Sequence, residues 1–257
     1  MENLLNELKQ KFKSHCEQNG FTKVILGLSG GLDSALVSVL AADVLGGQNV
    51  TAIMMRTKFT SSLSIDIARE IAKLNNLNYH EIDIQNLIDI ETVYLKNLFG
   101  QQPKSIVLEN LQARARAKLL MAWSNQFGSV VLACSNKSEI LTGYCTLYGD
   151  TCGAFVPLGN IYKSDIFKLA KYINGINRVL PQEVIVRAPS AELALNQKDE
   201  NSLPPYDILD DILKQYVDEK LSVEQIVNSG KDFATVERVI KLYQTSAFKR
   251  KQLPVLL

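Results

Sequence analysis

The sequence predicts an α/β fold: a parallel, twisted, Rossmann-like sheet with helices on both faces and a helical C-terminal tail. Three observations predict it. Short apolar runs of strand length, VILGL from Val24 and VTAIMM from Val50 among them, alternate with longer segments of helical periodicity. The runs are continuous rather than alternating, as strands covered on both faces require. A glycine-rich loop, SGGLDS, joins the first run directly to a helix.

Each element follows in order. Leu4, Leu5, Leu8 and Phe12 stand at helical spacing and place an amphipathic helix over residues 4–18, stopped by Gly20. Residues 24–28 form the first strand. The segment SALVSVLAADVLGG is a helix closed by Gly46 and Gly47, and the second strand starts at Val50. Residues 64–77 read as a helix, NYHEIDI from Asn78 as a third strand, 110–127 as a long helix, and 129–134 as a fourth strand. This alternation implies right-handed crossovers, with ligands beyond the carboxyl ends of the strands. The tail from Pro204 carries candidate helices at 206–219 and 233–245. No Pro/Ser/Gly-rich linker divides the chain, so residues 1–257 read as one domain.

Lys and Arg total 28 against 27 Asp and Glu. Such a balance lacks the basic surface that displaces counterions from nucleic acid, so no nucleic-acid partner is expected. The opening residues MENLLNELKQKFKSHCEQNG are charged throughout and hold no signal-type apolar core. The longest uncharged stretch, 24–32, is too short to span a bilayer. Cys16, Cys134, Cys145 and Cys152 form no CxxC pair, so free thiols and a cytoplasmic location are expected.

The chemistry starts at the loop. Two glycines after a strand let backbone N–H groups turn toward an anion, and the following helix adds its positive end. Ser29 and Ser34 supply hydroxyls. Asp33 would repel phosphates unless a cation joins them, and magnesium is the natural bridge. The loop is neither a Walker A motif, since the lysine is missing, nor GxGxxG.

Ser-Gly-Gly-x-Asp-Ser resembles the pyrophosphate-gripping loop of the N-type ATP pyrophosphatases, of adenine nucleotide alpha-hydrolase-like fold. Further segments choose within that group: NLQARARAK from Asn110, ACSNKSEILTGYCTLYGD from Ala133, PLGNIYKSD from Pro157, APSAELA from Ala188 and FKRKQLP from Phe248. In that order and spacing they resemble ammonia-dependent NAD synthetase, from about Phe21 to Pro254. The resemblance implies that Gly27, Leu28, Ser29, Gly30, Gly31, Leu32, Asp33 and Ser34 hold ATP phosphates. It adds Arg56, Cys134, Lys163 and Ser190 to the ATP site, and makes Asp33 and Glu139 the magnesium ligands. Asn110, Arg114, Asp150, Lys249 and Arg250 would contact nicotinic acid adenine dinucleotide (deamido-NAD). Asp33, Glu139 and Lys163 would be the catalytic set. Leu147 and the run Thr151–Cys152–Gly153–Ala154 depart from the family pattern, which has a lysine before Tyr-Gly-Asp and a glycine pair with an acid after it.

The implied reaction is amidation of deamido-NAD through an NAD-adenylate, a ligase activity forming a C–N bond. Only 28 residues precede Ser29, too few for an amidase domain, so free ammonia is the expected nitrogen donor. Two rivals stay open: another ATP pyrophosphatase acting on tRNA or a sulfur carrier, and a non-enzymatic adenine-nucleotide sensor. Apolar residues spread widely around the 110–127 helix, which with the resemblance implies a homodimer.

Overall fold

The computed structural model describes residues 1–195, 197 and 199–257. Helix α1 (Glu2–Asn19) buries Leu5, Leu8, Phe12 and Cys16, one stripe at helical spacing, and ends at Gly20 with φ 68°. Strand β1 (Val24–Gly27) leads into α2 (Leu32–Leu45), and β2 (Val50–Arg56) into α3 (Ser62–Leu74). Next come β3 (Asn78–Asp83), α4 (Gln85–Phe99), α5 (Ser105–Phe127) and β4 (Val130–Val131). The four strands are parallel, in the order β3-β2-β1-β4.

Strand side chains alternate between the two faces of the sheet. Val24, Leu26, Ala52 and Met54 pack into a core shared with α1, α2 and α3. Ile25, Ile53 and Met55 pack on the other face with Ile88 of α4 and Leu120 of α5. Helices therefore cover both faces, as the unbroken apolar runs require.

Beyond β4, α6 (Lys137–Thr142) precedes β5 (Phe155–Val156), α7 (Lys163–Ile176) and α8 (Gln182–Val186). The tail holds α9 (Tyr206–Leu213), α10 (Val223–Asn228), α11 (Phe233–Thr245), α12 (Ala247–Arg250) and β6 (Val255–Leu256). Its helices bury a separate cluster, Leu209, Ile212, Leu213, Val236, Val239 and Ile240, against Leu141 of α6 and Tyr162.

Four expectations are corrected. The fourth strand is two residues long, because Leu132 N still donates to Ile25 O (2.8 Å) but Ala133 N already donates to Phe155 O (3.1 Å). The chain is thus handed from β1 to β5. Helix α5 starts five residues before Asn110, at Ser105, whose hydroxyl holds Glu109 at 2.7 Å. The helix from Tyr206 ends at Leu213, and residues Lys214–Asp218 continue it in a wider π-type turn. Helix α3 stops at Leu74, and Asn76 turns the chain with φ 52°. Helix α4 was not foreseen, since it buries only Ile88 and shows no strong core-facing stripe.

Candidate active site

The strand order places a topological switch between β1 and β4: from β1 the chain runs outward through β2 and β3, then returns to the other side of β1. Crevices form at such points because the flanking loops diverge. A cavity of about 290 Å³ opens there, and Gly27 to Ser34 line it together with Cys134, Glu139, Asp150, Lys163 and Ser190.

The loop geometry is fixed locally. Gly30 has φ 80°, and a Cβ there would stand 2.3 Å from Ser64 O, so only glycine fits. Ser29 Oγ accepts from Gly31 N (3.2 Å), and Ser34 Oγ accepts from Ser29 N (3.2 Å) and donates to Gly31 O (3.1 Å). No side chain caps the start of α2, so its first-turn N–H groups remain available to an anion.

Asp33, in the first turn of α2, joins the three segments that meet here. Its Oδ1 accepts from Asn136 Nδ2 (3.2 Å), and its Oδ2 is ion-paired with Lys163 Nζ. Asn136 is fully buried and caps α6 reciprocally with Glu139: Glu139 N donates to Asn136 Oδ1 (3.0 Å), and Asn136 N donates to Glu139 Oε2 (3.4 Å). Lys163, at the start of α7, is 3% exposed. Burial opposes its charge, but Asp33 and Glu139 outweigh that and raise its pKa.

Glu139 stands beside a like charge. Desolvation, then the Asp33 carboxylate, push its carboxyl well above the usual range, and Lys163 offsets only part of this. Ionising both carboxylates beside one ammonium would leave net negative charge in poorly hydrated surroundings, which is why the Glu139 carboxyl holds its proton more tightly. Among the described residues no three His, Cys, Asp or Glu side chains are grouped to hold a metal. Asp33 and Glu139 are all-oxygen donors that could hold a hard divalent cation, with phosphates or water completing its shell.

The remaining expected residues are distributed around this centre. Cys134 lines the cavity, its thiol pushed up by burial. Ser190 Oγ donates to Gln197 O (2.6 Å) in the segment that closes the cavity. Asp150 is exposed as a residue, but its carboxylate turns inward to accept from Thr146 N (2.7 Å), and lost hydration pushes it up to about 6. Asn110 Oδ1 accepts from Thr146 Oγ1 (2.7 Å) at the edge of the same loop.

Asn110 and four further expected residues do not line this cavity. Arg56 sits exposed at the end of β2, 3.8 Å from Asp83. Arg114 lines a second cavity of about 380 Å³ between α4 and α5, and its Nε donates to Leu147 O (3.2 Å). Lys249 Nζ donates to Gly143 O (2.8 Å) and Cys145 O (2.6 Å), while Arg250 donates to Leu141 O (3.0 Å) and Tyr243 O (2.7 Å). These two residues thus satisfy carbonyls at and beyond the C-terminal end of α6, and one in the last turn of α11, where cations are favoured.

Sequence reasoning passed over other residues of the site. Asn136, buried behind the cavity wall, was legible as the first member of an Asn-x-x-Glu capping box. Asp199 accepts from Tyr206 OH (2.8 Å) and Tyr144 OH (3.3 Å), which no local motif marks. Glu192, with φ 49°, accepts from Ser61 Oγ and Ser64 Oγ (2.9 Å each) and pairs with Arg187. Arg116, which the basic pattern of the 110–118 segment does not single out, also lines the cavity.

Comparison with known proteins agrees with this geometry. The chain is 47% identical over 242 residues to a glutamine-dependent NAD(+) synthetase of Xanthomonas campestris, covering 93% of this chain and 44% of that protein. The chain thus spans less than half the length of the curated relatives it matches. Among solved structures, the glutamine-dependent NAD+ synthetase of Acinetobacter baumannii in complex with ADP aligns with TM-score 0.69 and 41% identity, over 96% of this chain and 45% of that one. The NH3-dependent NAD synthetase of Campylobacter jejuni aligns with TM-score 0.78 and 29% identity, over 100% and 98% of the two chains. The NAD synthase family profile matches residues 4–253, and the chain belongs to that family.

Proposed function

We propose that this chain catalyses the ATP-dependent amidation of deamido-NAD to NAD, as a single synthetase domain and as a homodimer. One observation carries the reading. An anion-receptive glycine loop, a pair of carboxylates and a buried lysine converge at the switch point of the sheet. That set suits cleavage of ATP between its α and β phosphates.

The nicotinate carboxylate oxygen attacks the α-phosphorus; a new P–O bond forms and pyrophosphate leaves. Ammonia then adds through its lone pair to the activated carbonyl carbon, AMP departs with the C–O bonding electrons, and one proton is released. Residues 27–34 bind the phosphates through backbone N–H groups, and Ser190 and Cys134 bound the same nucleotide. Lys163, aimed by its ion pair with Asp33, meets the charge growing on the leaving pyrophosphate. Asp33 and Glu139 would hold magnesium, which supplies the positive charge that lets carboxylates and phosphates share the site. Asn110, Arg114 and Asp150 are the residues for the dinucleotide. Lys249 and Arg250 shape that wall by fixing the end of α6, and Arg56, at the end of β2, is the further residue for ATP.

Free ammonia as donor is supported by the likeness to the NH3-dependent synthetase of Campylobacter jejuni, which aligns over nearly its whole length. The test is one assay: the chain with ATP, magnesium, deamido-NAD and either ammonia or glutamine, scored for AMP and NAD. NAD formation with ammonia alone is expected. AMP release only with tRNA or a sulfur carrier would move the chain to another pyrophosphatase class, and ATP binding without AMP under any condition would make it a sensor.

A further inference from the structure

Ala113, Arg116, Ala117 and Leu120 line the cavity from α5, the i, i+3, i+4, i+7 positions of one helical face. Ile53 and Met55 of β2 continue the wall. The wall is apolar except for Arg116. Its Nε donates to Met55 O at 3.2 Å, and no carboxylate forms a salt bridge with it among the described residues. The nearest influence is Glu192, whose carboxylate is already taken by Arg187, Ser61 and Ser64. Burial pulls the guanidinium down to about 10. A partly buried cation that meets one backbone acceptor keeps four N–H donors for something else.

The chemistry of the surroundings narrows what that partner is. The phosphate loop leaves β1, whereas Arg116 is moored one strand away on β2. An anion placed there would face apolar side chains and lie near the Glu192 carboxylate. A neutral aromatic ring with in-plane lone pairs meets neither penalty: its faces suit the apolar wall and its nitrogens accept from the guanidinium. We infer that Arg116 is a specificity-determining residue that donates to ring-nitrogen acceptors of the purine of ATP. This inference rests on the reading of the cavity as an ATP site.

Calorimetric titration of the full chain with ADP, and with ADP analogues lacking ring nitrogen N1, N3 or N7, tests it without requiring turnover. The variants are Arg116→Met, which removes all donors, and Arg116→Lys, which keeps charge and stem but loses the fork. ADP binding is expected to weaken roughly tenfold or more in the first and several-fold in the second. One analogue should bind wild type more weakly than ADP does, and that penalty should vanish in both variants. Either folded variant binding ADP as tightly as wild type would overturn the inference. So would variants that weaken ADP yet keep the wild-type pattern of analogue penalties. If Arg116→Met does not fold, Arg116→Lys decides alone. Wild type that binds no ADP at all would instead sink the ATP-site reading, and this inference with it.

Discussion

Arg114 and Arg116 stand two residues apart on α5 and line different cavities. Two helical steps rotate a side chain by about 200°, so adjacent members of one basic motif face opposite sides. Arg114 belongs to the face of Leu111, Ala115 and Lys118, which looks toward Glu91 and Tyr94 of α4. Replacing Arg114 with Ala is therefore expected to raise the Michaelis constant for deamido-NAD roughly tenfold or more, with that for ATP changed less than about twofold. Steady-state kinetics with each substrate varied in turn checks this, and equal changes would assign Arg114 to structure.

Turnover should depend on both carboxylates, but stability should not follow in parallel. Glu139→Gln is expected to lower AMP release at least about a hundredfold while leaving the fold intact, since it removes a charge that burial disfavours. Asp33→Asn is expected to lose turnover similarly and also a few kcal/mol of stability, because Lys163 loses its closest counter-ion in a buried setting. AMP assays beside denaturant titrations measure both. Near-normal turnover of both variants at ordinary magnesium would remove them from the metal site.

The tail offers a separation of structure from substrate contact. Arg250 holds three acceptors, Leu141 O, Tyr243 O and Ser246 Oγ, and its guanidinium lies 4.1 Å from the centre of the Tyr243 ring. Arg250→Ala should cost about 2 kcal/mol of stability through lost charge-assisted hydrogen bonds. A chemical denaturation midpoint indistinguishable from wild type would show that these contacts contribute nothing.

Asp210 gives the pH prediction. It is 1% exposed and accepts from Ser164 N (2.7 Å) and the Ser138 hydroxyl, yet desolvation raises its pKa above the usual carboxylate value. A raised folded pKa means that the native state holds the proton more tightly than the unfolded chain does. Its stabilisation is complete below the ordinary value of 3.8 and is lost as pH rises through the folded value. Thermal melts of wild type should therefore carry a downward component on going from acid toward neutral pH that Asp210→Asn lacks. Parallel pH profiles for the two proteins would refute this.

The homodimer prediction rests on the outer faces of α4 and α5. Ile90, Val93, Tyr94, Leu98 and Phe99 are exposed on α4, and Ile106, Met121 and Phe127 on α5. An obligate interface of about 2,000 Å² or more would cover such a patch. Light scattering should give twice 28.6 kDa, and Val93→Glu with Leu98→Glu should halve that mass. A fully active wild type at the single-chain mass would exclude the dimer.

The sequence by itself determined the layers and the centre of the site. Unbroken apolar strands must be covered on both faces, and a strand–SGGLDS–helix unit can turn backbone N–H groups outward, because glycine admits the left-handed φ of the turn and the helix start leaves donors unpaired. These are local or period-based constraints, so Asp33 and the loop were legible from neighbouring residues alone. Tertiary structure decided what lies across from them. Lys163 reaches Asp33 over 130 positions, and Asp199 meets Tyr144 across 55. Such partners are set by strand order and helix packing, which carry no short-range signature. The same holds for the tail cations: in the sequence Lys249 and Arg250 are a basic pair that the resemblance assigns to the dinucleotide, while the fold directs them to carbonyls of the α6 region. For Arg116 the deciding quantity was rotational phase on α5. Its identity as a basic residue was plain, but the face it occupies became known only once β2 fixed how that helix is turned.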